Sequence, residues 1–499
     1  MSSNAPRNQT PPILRESTIS ASTSTPTPTL KGRLDRFFEI TSRGSTWATE
    51  VRGGLLTFVT MAYIVILNPI ILSSTPDVAG HSLGFDQVGA VTALSAGVMT
   101  VLFGLVARLP FAFAAGLGIN SFLAVNVVKV LTWQEAMGLV VINGLIIVLL
   151  AATGLRRLIF NAVPPQLKTA ITVGIGLFIA FIGFVDSGFV RSTKAASPPV
   201  QLGEAGSIAT LPTLVFLIAL VIMGVLMARR VKGALLIGIV AATVVAIVIE
   251  AIFHLGSSAK NPDGWNLSVP QLPTSFVSVP NLSLVGQFDL FGSFARIGGL
   301  AAIMLVFTLV FTNFFDAMGS MTGLARSAGL ANEDGTFPRL QSALIVEGVG
   351  AVVGGGTSAS SNTVFVESAS GIGEGAKTGF ASVITGVLFL LAMFFTPLTS
   401  VVPSEVAAAA LVIVGALMVV QIRHIDFHEF SSTLPVFLTI IVMPLTYSIA
   451  NGIGVGFISW VLIRSLAGKA REISPLLWIV AAGFLVYFAR GPIEAVLPH

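Results

Sequence analysis

Two acidic residues fall inside apolar runs: Asp316 within LVFTNFFDAMGSMTGLA and Glu367 within NTVFVESASG. Ionisable side chains in such surroundings are costly and mark ligand or ion pathways. An ionised carboxylate only accepts hydrogen bonds, so the two together suit a ligand rich in N–H groups. Phe314 and Phe315, just before Asp316, and Phe365, two residues before Glu367, offer aromatic faces to a flat ring. Shielded from water, either acid is also a candidate to take up and release a proton. The competing reading is a buried acid satisfied by backbone donors where a helix breaks. Asn120, after AAGLGI, can donate and accept, with capping of the short helix behind it an equal alternative. Ser368, next to Glu367, completes the candidate set.

The elements that must hold these residues are membrane helices. Of 499 residues 54% are hydrophobic and only 10% charged, with a mean hydropathy of +0.90. A soluble chain carries about a quarter charged residues, too many for this composition, and lipid is the solvent that fits. The net charge of +4 sits in loops and points to membrane orientation rather than a nucleic-acid partner. With no Cys, thiolate nucleophiles and Cys-metal sites are excluded. His81, His254, His424, His428 and His499 all fall in predicted loops or at the terminus. No phosphate-binding loop follows a strand, so neither an enzyme nor a nucleotide-driven pump is expected, and no metal or cofactor. The Ser-, Thr- and Pro-rich start reads as a disordered tail.

Twelve apolar stretches, the first near 52–73 and the last near 452–466, are candidate spans. Segments 110–128 and 357–377 lie between them but are interrupted by Pro, Gly, Ser and acid, and counting both gives fourteen elements. Basic residues concentrate on alternate loops, as cytoplasmic loops do. The tail and first approach carry Lys31, Arg33, Arg36, Arg43 and Arg52; the even-numbered loops carry Arg156, Arg157, Lys168, Arg229, Arg230, Lys232, Arg326, Arg339, Lys377 and Arg423. Loop 74–86 has none and 254–295 only Lys260, whereas 187–208, with Arg191 and Lys194, breaks the rule. A cytoplasmic N-terminus in the plasma membrane is therefore expected. The stretch 475–488 is short for a span and is expected at the interface or packed on the bundle.

The halves echo one another: 161–183 matches 400–420 around a Val-Pro pair, and 93–107 matches 343–357. Seven elements per half is an odd number, so the repeat must be inverted, with the broken elements third in each half. Interrupted segments at matching positions of inverted repeats point to a midplane substrate site. Glu347, Asp186, Glu250 and Glu374 read as structural or water-solvated acids. Thr357, Ser358, Ser360, Ser361 and Thr363 are expected to satisfy broken backbone rather than touch a ligand.

At these residues the chain resembles the AzgA-like purine permeases, a branch of the nucleobase–ascorbate transporters. FFEITSRGSTWATEVRGGLLTFVTMAYIVILNP (37–69) looks like the family's opening signature. AAGLGINSFLA (114–124), FFDAMGSMTGLA (314–325) and GTSASSNTVFVESASGIGEGAKTGF (356–380) look like its third, eighth and tenth elements. The resemblance runs from about 37 to 467. It implies an all-α polytopic membrane protein with fourteen elements in a seven-plus-seven inverted repeat, elements 3 and 10 broken by short extended segments. A core (37–160 and 296–399) would move against a gate (161–253 and 400–467), with a tail at 1–36, an extracellular loop at 254–295 and a C-terminal segment at 468–499.

The resemblance also implies proton-driven uptake of adenine, guanine and hypoxanthine, and a homodimer through the gate. By motif position, Asp316 and Glu367 would hold the base and couple the proton, and Asn120 would belong to the third-element site. Related uracil permeases carry a His one turn after the eighth-element acid, where this chain has Ser320. That departure shifts coupling to the acids. The runner-up is an anion carrier of the sulfate or bicarbonate type on the same architecture, opposed by two acids that would repel an anion. A passive channel would lack accumulation against a gradient.

Overall fold

A computed structural model describes residues 30–155, 162–193, 198–204, 206–208, 210–266, 268–272, 275–332 and 336–489, with side chains placed at all of these except 30, 315 and 319. Most of the expected tail, the basic residues Arg156, Arg157 and Lys194, His499 and the Phe315 side chain lie outside the described residues. The chain opens with α1 (Leu30–Phe38), α2 (Trp47–Met61), α3 (Ile64–Ser73) and α4 (Phe85–Val106). A short strand β1 (Phe113–Ala115) and half-helix α5 (Leu117–Phe122) follow, then α6 (Trp133–Ala152) and α7 (Pro165–Asp186). Hairpin β2 (Val190–Ser192) and β3 (Val200–Leu202) leads to α8 (Leu211–Ala228) and α9 (Ala234–Phe253).

After a long connection come α10 (Gly292–Ile297), α11 (Gly299–Ser327) and α12 (Leu340–Gly356). Strand β4 (Asn362–Val364) and half-helix α13 (Ser368–Gly373) repeat the strand-then-half-helix order of β1 and α5. The rest is α14 (Gly379–Ala392), α15 (Ser404–Val419), α16 (Phe430–Thr446), α17 (Ile449–Arg464) and α18 (Pro475–Phe488). Among the described residues ten segments are long and apolar enough to cross a bilayer, and further apolar helices, among them α12, α16 and α18, are shorter. The chain is a mostly helical, multi-pass membrane protein.

Helix starts follow local chemistry. Thr46 accepts a hydrogen bond from the Thr49 N–H at the start of α2, and Thr132 and Glu135 form a reciprocal capping box at α6. Helices α2 to α6 and α11 to α14 pack mainly on one another, while α7, α8, α9, α15, α16 and α17 form a second group. Val221, Val240, Val244 and Ile252 on α8 and α9 are more than half exposed, a surface suited to lipid.

The span near 52–73 is one segment, Trp47–Ser73, which begins earlier than expected and has two turn residues, Ala62 and Tyr63, between α2 and α3. The start of the 254–295 connection folds onto the end of α9, and two acids expected to be water-solvated are instead partnered. Glu250, expected to be solvated by water, accepts from the Leu255 and Gly256 N–H groups and from Trp265 Nε1 at 2.8 Å, which buries Trp265 completely. The next residue's backbone N–H reaches Glu405 Oε1 across 3.1 Å, tying the connection to α15. Glu374 is likewise ion-paired, to Lys232. As for 475–488, α18 lies against α17, with the Phe484 ring edge-on to Phe307 and Phe457.

Candidate functional site

The site is built where the two interrupted segments meet. Strands β1 and β4 pair antiparallel, with Phe113 opposite Val364, Ala114 opposite Thr363 and Ala115 opposite Asn362. The Gly116 N–H donates to the Ser361 carbonyl at 2.9 Å and the Phe365 N–H to the Ala112 carbonyl at 3.0 Å, extending the ladder at both ends. Extended backbone survives among apolar helices only when its polar groups are paired internally. Side chains complete the pairing. Thr100 Oγ1 accepts from the Phe113 N–H at 2.9 Å, and Ser382 Oγ donates to the carbonyls of Leu109 and Phe111.

Glycine allows the close approaches that place this unit. A Cβ at Gly371 of α13 would lie 2.2 Å from Thr57 Oγ1 and 2.4 Å from the Gly53 carbonyl oxygen of α2. One at Gly354 would lie 1.8 Å from the Ser360 carbonyl oxygen, so the turn into β4 folds back directly over α12. Half-helix α13 therefore sits on α2 at backbone distance, and Glu367, the residue before it, faces the break between α2 and α3.

A cavity of about 1240 Å³ runs from this point to the surface. Its inner end is lined by Asp316, Glu367, Phe365, Tyr63, Thr312 and Thr363. Its outer part reaches Lys168 at the start of α7, Arg326 at the end of α11, and Arg423 and His424 after α15. The Tyr63 hydroxyl donates to Glu367 Oε1 at 2.6 Å. Thr312 and Thr363 line the cavity, but their hydroxyl oxygens are themselves buried and have no hydrogen-bond partner among the described residues. Two carboxyl side chains and the Phe365 ring thus line one cavity.

The structure brings Asp316, Glu367 and Phe365 together, but not every candidate reaches the cavity wall. Asn120 is completely buried behind Gly116, Leu117, Gly118 and Ile119, which do line it. Its Nδ2 donates to Asn68 Oδ1 at 2.6 Å, and Asn68 Nδ2 donates in turn to Thr92 Oγ1 and the Ala359 carbonyl. Ser368 is also completely buried, its Oγ accepting from the Ala112 N–H at 3.0 Å and donating to the Phe365 carbonyl at 2.7 Å. It joins the two interrupted segments. Phe314 is buried away from the lining, and Glu347 is fully buried on α12.

Of the hydroxyls expected to satisfy backbone, Thr357 and Ser358 do so, donating to Val353 and to the Leu284 and Gln287 carbonyls. Those of Ser360, Ser361 and Thr363 have no partner among the described residues, contrary to expectation. Tyr63 and Thr312 were absent from the sequence-based candidates. A signal for Thr312 existed, since it lies one helical turn before Asp316 on the same face.

Residues 48–455 match the model of the Permease family of xanthine and uracil permeases. The guanine/hypoxanthine permease PbuG of Bacillus subtilis is 39% identical over 461 residues, covering 91% of this chain and 98% of the relative. Adenine permease AdeP of Escherichia coli is 35% identical, covering 91% of this chain and 96% of the relative. Among solved structures, the transmembrane domain of the cyanobacterial bicarbonate transporter BicA aligns with TM-score 0.57 at 15% identity, covering 81% of this chain and 97% of that one. The murine anion transporter Slc26a9 in its inward-facing state aligns with TM-score 0.57 at 11% identity, covering 92% of this chain and 77% of that one. Those identities establish a shared fold and nothing further. Family match, relatives and motifs agree: the chain belongs to the permease family, in its AzgA-like purine-permease branch.

Proposed function

We propose that this protein imports purine nucleobases, adenine, guanine and hypoxanthine among them, by proton symport. The observation that carries the reading is that Asp316, Glu367 and Phe365 all line one cavity. A purine presents N–H donors on its ring and amino groups and a flat π face. The carboxylates would accept those N–H groups, Phe365 would stack, and the Thr312 and Thr363 hydroxyls would donate or accept according to the base. Phe315 is proposed as a further aromatic contact by its place beside Asp316. Tyr63 would hold the Glu367 carboxylate in position. Asn120 would act through the Asn68 chain on the wall behind the base, and Ser368 by fixing the turn that carries Glu367. Relatives bearing the names of guanine/hypoxanthine and adenine permeases support the substrate class.

Asp316 and Glu367 would also couple the proton, since acids that bind the base can change protonation as it arrives or leaves. The group of α2 to α6 and α11 to α14 is proposed as the core, carrying the site past a gate made of α7 to α9 and α15 to α17. The pairing of β1 with β4 favours movement of the core as one body in an elevator motion. The fourteen elements would form two inverted sets of seven, in the plasma membrane with a cytoplasmic N-terminus and a homodimer through the gate. On that orientation the mouth ringed by Lys168, Arg326 and Arg423 is cytoplasmic, and the arrangement is inward-facing. An anion carrier shares the fold, but two carboxylates at the end of the cavity oppose an anion.

The test is uptake of radiolabelled adenine, guanine and hypoxanthine into proteoliposomes with and without an inward proton gradient. Concentrative uptake abolished by a protonophore supports the symport. Saturable uptake that only equilibrates keeps the substrate and removes the coupling. No purine uptake by folded protein, with sulfate or bicarbonate carried instead, overturns the reading.

A further inference from the structure

Glu367 borders a second cavity. This space, about 370 Å³, is lined by residues of α2, α13 and the loop joining α8 to α9, and not by Tyr63. Thr60 and Ser370 line it from the first packing group, and Arg230, Lys232 and Gly233 from the second. Val366, Glu367 and Leu417 line both cavities. Tyr63 faces only the larger cavity; Thr60 and Ser370 face only the smaller. Lys232 pairs with Glu374, the residue after α13, so the rim is polar and crosses from one packing group to the other.

We propose that the smaller cavity is a water-filled side passage through which Glu367 exchanges protons with the solution on the side of the α8–α9 loop, separately from the route taken by the base. The inference rests on the proton-symport reading above. With a base seated against Asp316 and Glu367, the larger cavity is plugged at its inner end, and a proton leaving Glu367 that way would have to pass the base. Through the smaller cavity it meets Ser370 and then the charged rim, while Thr60 on the same wall gives its hydroxyl hydrogen to backbone carbonyls. The titratable and charged groups around Glu367 are Tyr63 from the α2–α3 break, Asp316 from α11, and Arg230 and Lys232 from the α8–α9 loop, with Glu374 after α13 paired to Lys232. Because the walls belong to both packing groups, sliding one group along the other would close the passage. Proton access would then depend on the same motion that carries the base.

The chain contains no cysteine, so single-cysteine variants can be labelled without background. Ala369 lines only the larger cavity and Ser370 only the smaller. In proteoliposomes treated with a small charged methanethiosulfonate, adenine is expected to protect Ala369→Cys but leave Ser370→Cys reactive. Labelled Ser370→Cys is expected to keep adenine binding and adenine-for-adenine exchange and to lose proton-driven accumulation, relative to the same variant before labelling. Lys232→Cys, on the facing wall, gives a second position with the same expectation. The proposal is overturned if Ser370→Cys fails to react, if adenine protects it as it protects Ala369→Cys, or if full labelling leaves accumulation intact. If adenine protects Ala369→Cys but unlabelled protein shows no proton dependence, the symport reading falls and the passage with it. That outcome is distinct from failure of the passage alone.

Discussion

The Tyr63 hydroxyl donates a 2.6 Å hydrogen bond to Glu367 Oε1 across 304 residues of sequence. It fixes one carboxylate oxygen and leaves the other to the cavity. Tyr63→Phe removes the donor without changing the ring. A hydrogen bond to a charged group contributes about 1.5–3 kcal/mol, so base affinity is expected to fall by roughly ten- to a hundredfold. Equilibrium binding of labelled adenine to purified protein measures this; an unchanged Kd would mean that the bond does not position the carboxylate.

Asp316→Asn and Glu367→Gln keep shape and replace an acceptor oxygen with an NH₂ donor. Each is expected to weaken purine binding by roughly tenfold or more, the value of a charge-assisted bond, and the double variant to bind no base. Undiminished binding in either single variant, measured by calorimetry, would remove that acid from the site.

Ser368→Ala separates contact from support. Its hydroxyl serves the Ala112 N–H and the Phe365 carbonyl, so removal leaves a buried N–H unsatisfied at a cost of about 1–3 kcal/mol. A lower thermal unfolding midpoint in detergent is expected, with base selectivity retained. Altered preference among adenine, guanine and hypoxanthine at unchanged stability would place Ser368 on the ligand instead.

Gly371→Ala and Gly354→Ala would each drive a Cβ into neighbouring atoms, at 2.2 Å and 1.8 Å respectively. Overpacking costs about 1–3 kcal/mol or more. Gly371→Ala is expected to reduce both uptake and stability, since α13 cannot rest on α2 without moving Glu367. Normal uptake by Gly371→Ala would show that this contact does not set the site.

Stability in acid should depend on Asp77, in the turn after α3. Burial pushes its carboxyl up, but N–H bonds from His81, Trp133 and Ala79 outweigh this and hold it below the ordinary value. A group lowered on folding stabilises above its unfolded pKa, about 3.9, and loses that contribution as pH falls through the folded value. Melting curves in detergent should therefore show a loss below about pH 4 that Asp77→Ala lacks, because the variant has lost the contribution, about 1–3 kcal/mol, at every pH.

Much of this was legible in the residues. Acids at 316 and 367 stand out because lipid tolerates so few, and 110–128 and 357–377 because Gly, Ser and Pro interrupt otherwise apolar runs. Tyr63 was not legible: the break at Ala62 and Tyr63 carries neither Gly nor Pro and lies inside an apolar stretch. Ser368 was placed on the ligand by adjacency to Glu367, yet the first residue of a half-helix turns its hydroxyl to whatever backbone the fold brings near. The loop after Phe253 gave no periodic signal for its folding onto α9, because that contact is held by single side chains such as Glu250 rather than by regular elements.

The pairing of Phe113–Ala115 with Asn362–Val364 also sets a schedule for biosynthesis. When the first strand leaves the ribosome its partner is about 250 residues behind, a delay of roughly 12 to 50 s at 5–20 residues per second. Throughout that interval Thr100 can serve the N–H and carbonyl of Phe113, but the backbone groups that face the second strand, such as the Ala112 carbonyl and the Gly116 N–H, lack their eventual mates. The nascent first half must be shielded by the insertion machinery or wait at the bilayer edge, and the pocket comes into being only when the second half arrives.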